Sequence, residues 1–327
     1  MGFVANRRHG RPGGQAVGID VGGTSIRAAV VDRFGTVLDT VRAPTPSSEQ
    51  ALDDALVRAV RDLQSRHDIA AVGLAVAGFL TADRSRVRFA PHLPWRDAPV
   101  GARLSERVGV PVVVEHDANA AGHAEYRYGA ASGARGVVLL AIGTGIGAAY
   151  LRDGELFRGT YGIAPELGHI QVVPGGRACP CGKRGCWERY CSGTALVDTA
   201  IDMLAADPST SVLAHDVAVD PGSLTGRRIA AAAQDGDALA VAVIDDFADW
   251  LAVGLAVVVD VFDPELVVIG GGAGASGPLF LDRARERWAE LSTGGSFRPR
   301  ARIRSSQLGE AAGMIGAADI ARATIAR

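Results

Sequence analysis

Three of the chain's four cysteines fall within eight residues, at positions 179, 181 and 186, and a histidine stands ten positions before the first of them, at 169. Thiolate sulfur and imidazole nitrogen are the donors that tetrahedral zinc prefers, and His169, Cys179, Cys181 and Cys186 are enough to close its coordination shell. Glycines at 182 and 185 let the loop turn tightly between those donors. A disulfide, a redox pair and plain burial of the thiols are the competing readings, and a reducing compartment disfavours the first. Cys191 has no place in a closed four-donor site and reads as a small packed side chain.

A second chemistry is written in glycines. GIDVGGTSIRAAVVD and LLAIGTGIGAAYLRDG each run apolar strand, Gly-rich turn, apolar strand, polar turn, an internal echo that points to two related halves. Such turns let backbone amides approach an anion, so Gly22, Gly23 and Thr24, or Gly143, Thr144 and Gly145, can cradle phosphate; a plain hairpin is the alternative for either. Asp20, just before the first turn, adds the carboxylate that a Mg²⁺-nucleotide site needs. A third turn, VVIGGGAGASG, matches GxGxxG through Gly272, Gly274 and Gly277. The acids after it, Asp282, Glu286 and Glu290, fall inside a predicted helix, so a nucleotide-contacting strand-to-helix turn fits better than a dinucleotide fingerprint. No GxxxxGK[ST] occurs.

The elements that must position these residues alternate. AVGID, IRAAVVD and TVLDTV read as strands, followed by an amphipathic helix from about Ser47 to His67, then AAVGLAVAG and the strand PVVVEHD. The second set begins at GVVLLAIGTGIGAAYL and continues through helical segments around 190–205 and 237–262, the strand ELVVIGGG, a helix near 278–291, the strand ARIRSS and a closing helix from about Glu310. That alternation is α/β, and the 327 residues suit two domains with a soft boundary near 125–130.

Composition excludes several classes. Hydrophobic content of 48%, charged content of 21% and a formal net charge of −2 describe an ordinary globular protein with no basic field for nucleic acid. Residues 1–15 are basic and Gly-rich without the apolar core of a signal peptide and read as a flexible tail. The longest apolar run, WLAVGLAVVV, is about half a bilayer span, so a cytoplasmic protein without a membrane partner is expected.

DVGGTSIR (20–27), AGF (77–79), EHDANAA (115–121), IGTGIG (142–147), ELGH (166–169), CPCGKRGCWE (179–188), VVIGGG (267–272) and SSQLGEAAGMIGAA (305–318) follow one another as in the ROK family of bacterial sugar kinases, which the chain resembles from about 16 to 325. AGF, FAPHLPWRD and the cysteine stretch are most similar to its ATP-dependent glucokinases. The resemblance implies an actin-like ATPase (ribonuclease H-like) two-domain fold with a cleft between domains. A small domain would span 16–125, the final helix, about 310–327, would pack back on it, and a large domain would span 126–309. It further implies ATP, Mg²⁺ and a structural Zn²⁺ as cofactors, glucose as the sugar, and a homodimer or homotetramer. The family's repressors carry an N-terminal helix-turn-helix, and fifteen residues precede the kinase-like part here, so a repressor is not expected; the presence of both Asp117 and Asp20 favours an enzyme over a sensor.

Residue by residue, the resemblance makes Asp117 the base that accepts the proton of the sugar 6-hydroxyl as it attacks the γ-phosphate, with helix capping as the competing reading. Gly78, His116, Glu166, His169 and Glu188 would contact the sugar, His169 being also a zinc ligand whose other nitrogen is aimed at the sugar. Asp20, Gly22, Gly23, Thr24, Gly143, Thr144 and Gly145 would serve the phosphates, and Gly270, Gly271 and Gly272 the ribose and base.

Three departures bear on specificity and donor contact. His116 stands where Asn is common, Ser25 where many members carry Lys, and Lys183 where the cysteine stretch usually has Asn. The alternatives are therefore a kinase for N-acetylmannosamine, N-acetylglucosamine, fructose or allose, and a sugar-sensing protein without turnover.

Overall fold

The computed structural model describes residues 14–207, 211–220 and 222–326. They divide into two compact units: residues 14–128, 158–164 and 311–326 form the first, and 129–157 with the described part of 165–310 the second. The sequence reading ran the second domain straight through 158–164, whereas that segment groups with the first unit. The expected tail, apart from Gly14 and Gln15, lies outside the described residues, and Gln15 already opens the first strand.

In the first unit β1 (Gln15–Val21), β2 (Ser25–Val31) and β3 (Val37–Pro44) form an antiparallel meander. Helix α1 (Glu49–Gln64) crosses to β4 (Ile69–Val76), parallel to β1. It starts where the Ser48 hydroxyl accepts the Ala51 amide, and buries Leu52, Leu56, Val60 and Leu63 along one face. A small sheet follows, β5 (Phe79–Leu80), β6 (Val87–Phe89) and β7 (Arg96–Ala98), then α2 (Val100–Val108), β8 (Val112–His116) parallel to β4, and α3 (Asp117–Tyr128). Trp95 is fully buried, and its indole nitrogen donates to Asp53 at 3.0 Å.

In the second unit β9 (Gly136–Ile142), β10 (Ile146–Arg152) and β11 (Glu155–Leu156) form the antiparallel part. Helices α4 (Gly193–Ala206), α5 (Val212–Val219), α6 (Gly226–Gln234) and α7 (Ala238–Phe262) lead to β12 (Leu266–Gly270), parallel to β9. A four-residue α8 (Gly271–Gly274), α9 (Leu281–Leu291) and β13 (Arg302–Ser305) follow. The strand orders are β3-β2-β1-β4-β8 and β11-β10-β9-β12-β13, the same plan twice, as the two echoing hairpins suggested.

The closing helix α10 (Ala312–Ile325) belongs to the first unit. Its backbone rests directly on the sheet: a Cβ at Gly18 would lie 1.7 Å from the Met314 carbonyl oxygen and one at Gly73 1.9 Å from that of Ala317. Only glycine permits that approach. Two element boundaries differ from expectation. The helix near 278–291 begins at Leu281 because Pro278 sits in a separate 3-10 turn, and the third Gly-rich turn opens only the short α8 rather than a long helix.

Candidate functional site

The second unit brings His169 together with the three cysteines. The loop folds on itself through Val172–Gly185 and Cys179–Lys183 backbone hydrogen bonds at 2.9 Å each, which hold its two limbs together. The four donor atoms lie within 4.8 Å of one another, with Cys181 Sγ 3.6 Å from Cys186 Sγ and Cys179 Sγ 3.7 Å from His169 Nδ1. Metal–sulfur bonds of about 2.3 Å and metal–nitrogen bonds of about 2.0 Å give tetrahedral edges of roughly 3.5–3.8 Å, so the cluster fits zinc in donor type and size. No cysteine is in a disulfide. Burial pushes the Cys179 and Cys186 thiols up; a divalent cation among them would supply the charge that turns thiols into thiolates. Cys191 is buried apart from the cluster, its thiol directed at the Phe247 carbonyl.

The imidazole of His169 is aimed from both sides. Nδ1 faces the cluster and lies 3.5 Å from Glu188 Oε1, while Nε2 lies 3.8 Å from Glu166 Oε2. A metal on Nδ1 would thus leave Nε2 and the two carboxylates as a set of hydrogen-bonding groups for hydroxyls. Glu188 also ties this set to the β9–β10 turn: its Oε2 accepts the Ile146 amide at 3.4 Å, and a Cβ at Gly145 would lie 2.5 Å from that oxygen. Trp187, beside Glu188, is fully buried and donates to the Trp250 carbonyl at 2.8 Å, anchoring the segment on α7.

In the first unit, Asp20, one residue before the end of β1, lies opposite Arg27 of β2, whose guanidinium donates to it at 2.5 Å. The turn between them is closed by the Gly22 amide donating to the Ser25 carbonyl at 3.1 Å, and the Thr45 hydroxyl donates to the Gly22 carbonyl at 2.6 Å. Asp117 opens α3 immediately after β8, with a side chain 41% exposed. Its Oδ1 accepts the amide of the next residue, Ala118, at 2.7 Å and lies 3.3 Å from His116 Nε2, so a local backbone contact and an accessible carboxylate coexist. Gly78 lies where a Cβ would come within 2.6 Å of the Phe89 carbonyl oxygen, at the root of the β5–β6 hairpin.

The sequence reading missed the group behind Asp117. Glu115 is buried, its side chain 2% exposed, and Oε2 accepts from Arg158 Nε and Nη2 at 3.0 and 2.8 Å and from Arg84 at 3.1 Å. Its Oε1 accepts from Asn119 at 3.0 Å and the His116 amide at 3.1 Å. Burial alone would raise this carboxyl; Arg158, Asn119 and Arg84 outweigh it and hold the group below its ordinary value. A glutamate ending the apolar run PVVV was the available signal.

The second unit also contains a cavity of about 710 Å³. Gly143, Thr144 and Gly272 line it, whereas Gly145, Gly270 and Gly271 do not. Thr225, Arg227, Phe247 and Phe280 are lining residues that no motif announced.

Two units of like strand order, each opening on a Gly-rich hairpin, have the actin-like ATPase fold found in sugar kinases of this class. The chain belongs to the ROK family, whose model matches residues 16–324. It is 42% identical over 310 residues to the glucokinase of Streptomyces coelicolor, a match covering 94% of this chain and 98% of that protein. It is 34% identical over 312 residues to the glucokinase of Halalkalibacterium halodurans, covering 92% of each. The crystal structure of a ROK family glucokinase from Streptomyces griseus in complex with glucose and AMPPNP matches with a TM-score of 0.85 at 41% identity, covering 95% of this chain and 100% of that one.

Proposed function

We propose that the chain is an ATP-dependent glucokinase that transfers the γ-phosphoryl group of ATP to the 6-hydroxyl of glucose. The observation that carries this reading is the likeness to the Streptomyces griseus enzyme, whose structure holds glucose and a nucleotide analogue, over nearly the whole of both chains.

In this reading Asp117 accepts the hydroxyl proton as the sugar oxygen attacks the γ-phosphorus and the bond to ADP breaks. His116, Gly78, Glu166, His169 and Glu188 hold the sugar, the last three through the hydrogen-bonding set around the imidazole. Zinc held by His169, Cys179, Cys181 and Cys186 would lock that imidazole in one tautomer and orientation. Mg²⁺, when bound with the nucleotide, would neutralise charge on its phosphates, and Asp20 offers the hard oxygen donor for it, one oxygen being already held by Arg27. The Gly-rich turns at 22–24 and 143–145 would carry phosphate contacts, and Gly270, Gly271 and Gly272 the ribose and base. A homo-oligomer in the cytoplasm is part of the reading; for the compartment alone, the support is cysteines that are free of disulfides and grouped as metal ligands would be. Among the described residues no helix is long and apolar enough to cross a membrane.

The test is ADP release from MgATP with glucose, mannose, fructose, N-acetylglucosamine, N-acetylmannosamine or no sugar. Strong turnover confined to glucose is expected. Turnover confined to another sugar would keep the phosphoryl transfer and overturn the substrate, with His116 the first residue to examine, and sugar binding without turnover would overturn the enzyme.

A further inference from the structure

The residues lining the 710 Å³ cavity fall into two chemical sets. Leu196, Val197, Ile244, Phe247 and Phe280 are apolar and suit a planar, poorly hydrated group. Gly143, Thr144 and the first residues of α4 and α6, among them Thr194 and Arg227, are polar or cationic. Among the described residues no carboxylate lines the cavity, and Arg227 is the one charged residue that does.

Consecutive arginines divide their work here. Arg228 donates from Nε to Asp216 at 2.6 Å, whereas Arg227 is exposed and makes no ion pair or side-chain hydrogen bond among the described residues. The caps leave the same end positive. Thr225 accepts the Arg228 amide at 3.2 Å, so the amides of Gly226 and Arg227 in the first turn of α6 have no acceptor within the helix. A cation without a counterion, on a cavity without an acid, beside a Gly-rich turn, calls for an anionic ligand.

We propose that Arg227 holds the phosphates of the nucleotide bound in this cavity and sets the affinity for the donor rather than the rate of transfer. The inference rests on the phosphotransferase reading above. Because ATP and ADP share the α- and β-phosphates, a contact there strengthens substrate, transition state and product alike, and its loss appears in KM and not in kcat.

The experiment is calorimetric titration of the whole chain with ADP, alongside steady-state kinetics. For Arg227→Ala the Kd of ADP and the KM of MgATP should each rise about tenfold, as for loss of one charge-assisted contact. The kcat and the KM of glucose should stay within about twofold of wild type. Arg227→Lys should recover most of the affinity, and Arg227→Gln, which keeps the length and drops the charge, carries the test should the alanine variant not fold. Gly272→Leu serves as the control for the cavity, since a Cβ there would meet nothing within 4 Å and the side chain would occupy ligand space. Weakened ADP in Gly272→Leu with unchanged ADP affinity in the Arg227 variants would overturn the role of Arg227 and keep the cavity. Unchanged ADP affinity in both would remove the nucleotide from this cavity, and a fall in kcat with unchanged ADP affinity would place Arg227 in the transfer step instead. Wild-type chain that binds ADP but turns over no sugar would break the kinase reading and leave the Arg227 contact standing.

Discussion

In the proposed reading one carboxylate at Asp117 meets two demands, the proton of the sugar hydroxyl and the Ala118 amide, and they can be separated. Asn in its place keeps an oxygen for the Ala118 amide, now accepted at 2.7 Å, but cannot take a proton. Asp117→Asn should therefore lower kcat by about 10²–10⁴-fold while leaving glucose binding measurable and the melting temperature near wild type. A kcat within tenfold of wild type would remove Asp117 as the base. Asp117 was singled out only through the family resemblance, whereas the His169–Cys179–Cys181–Cys186 cluster was legible because residue type and spacing along the chain carry its chemistry. Glu115 was not: its partners Arg158 and Arg84 lie 43 and 31 positions away, and no local pattern announces a contact made by tertiary folding. Neutralising it while two half-buried arginines stay beside it should be costly, and Glu115→Gln is expected to destabilise the chain by about 2–4 kcal/mol in denaturant titration.

At the scale of elements, the loop from Leu167 to Arg189 is, in the proposed reading, a single device in which a metal held by the cysteines and His169 would set the posture of His169 and Glu188. Removing the metal with a chelator is expected to release about one zinc per chain and raise the KM of glucose at least tenfold, while ADP affinity measured by calorimetry stays within about twofold. Equal loss of both affinities would mean that the loop supports the whole unit rather than the sugar contacts. A narrower probe is Gly145→Ala. The added Cβ would collide with Glu188 Oε2 at 2.5 Å, so the carboxylate must leave its place and the KM of glucose should rise with the metal content unchanged. Long helices with clear apolar periods, such as α1 and α7, matched their expected ranges closely. Helix α2, nine residues between short strands, and α5 and α6, built over a segment of mixed period, gave no comparable signal and were not anticipated.

For the molecule as a whole, α10 completes the first unit from nearly three hundred residues away. A buried polar group fastens it: Asp319 accepts from Tyr128 at 2.6 Å and Arg322 at 2.8 Å, and lies 2.8 Å from His123 Nε2. Burial would raise the Asp319 carboxyl, yet His123, Tyr128 and Arg322 together hold it well below the usual carboxylate range. A depressed carboxyl stabilises the fold above its unfolded value, 3.8, and loses that contribution as pH falls through its folded value. Asp319→Asn should accordingly be less stable than wild type at pH 7, and the gap should narrow only below about pH 4. A gap that stays constant down to pH 2 would show that the charge on Asp319 contributes nothing. The return of α10 and of 158–164 to the first unit escapes any reading by periodicity, since both depend on which apolar face is left open once the sheets form.

The seat of α10 also imposes an order on the birth of the protein. Gly18 and Gly73 are bare so that the helix backbone can lie against them, which leaves that face of the sheet uncovered until residues 311–326 emerge from the ribosome. At roughly 5–20 residues per second, the nascent first strands wait about 15–60 s for their cover. Through that interval the face of β1 and β4 that α10 covers stays open, and the first unit finishes folding after the second has been synthesised.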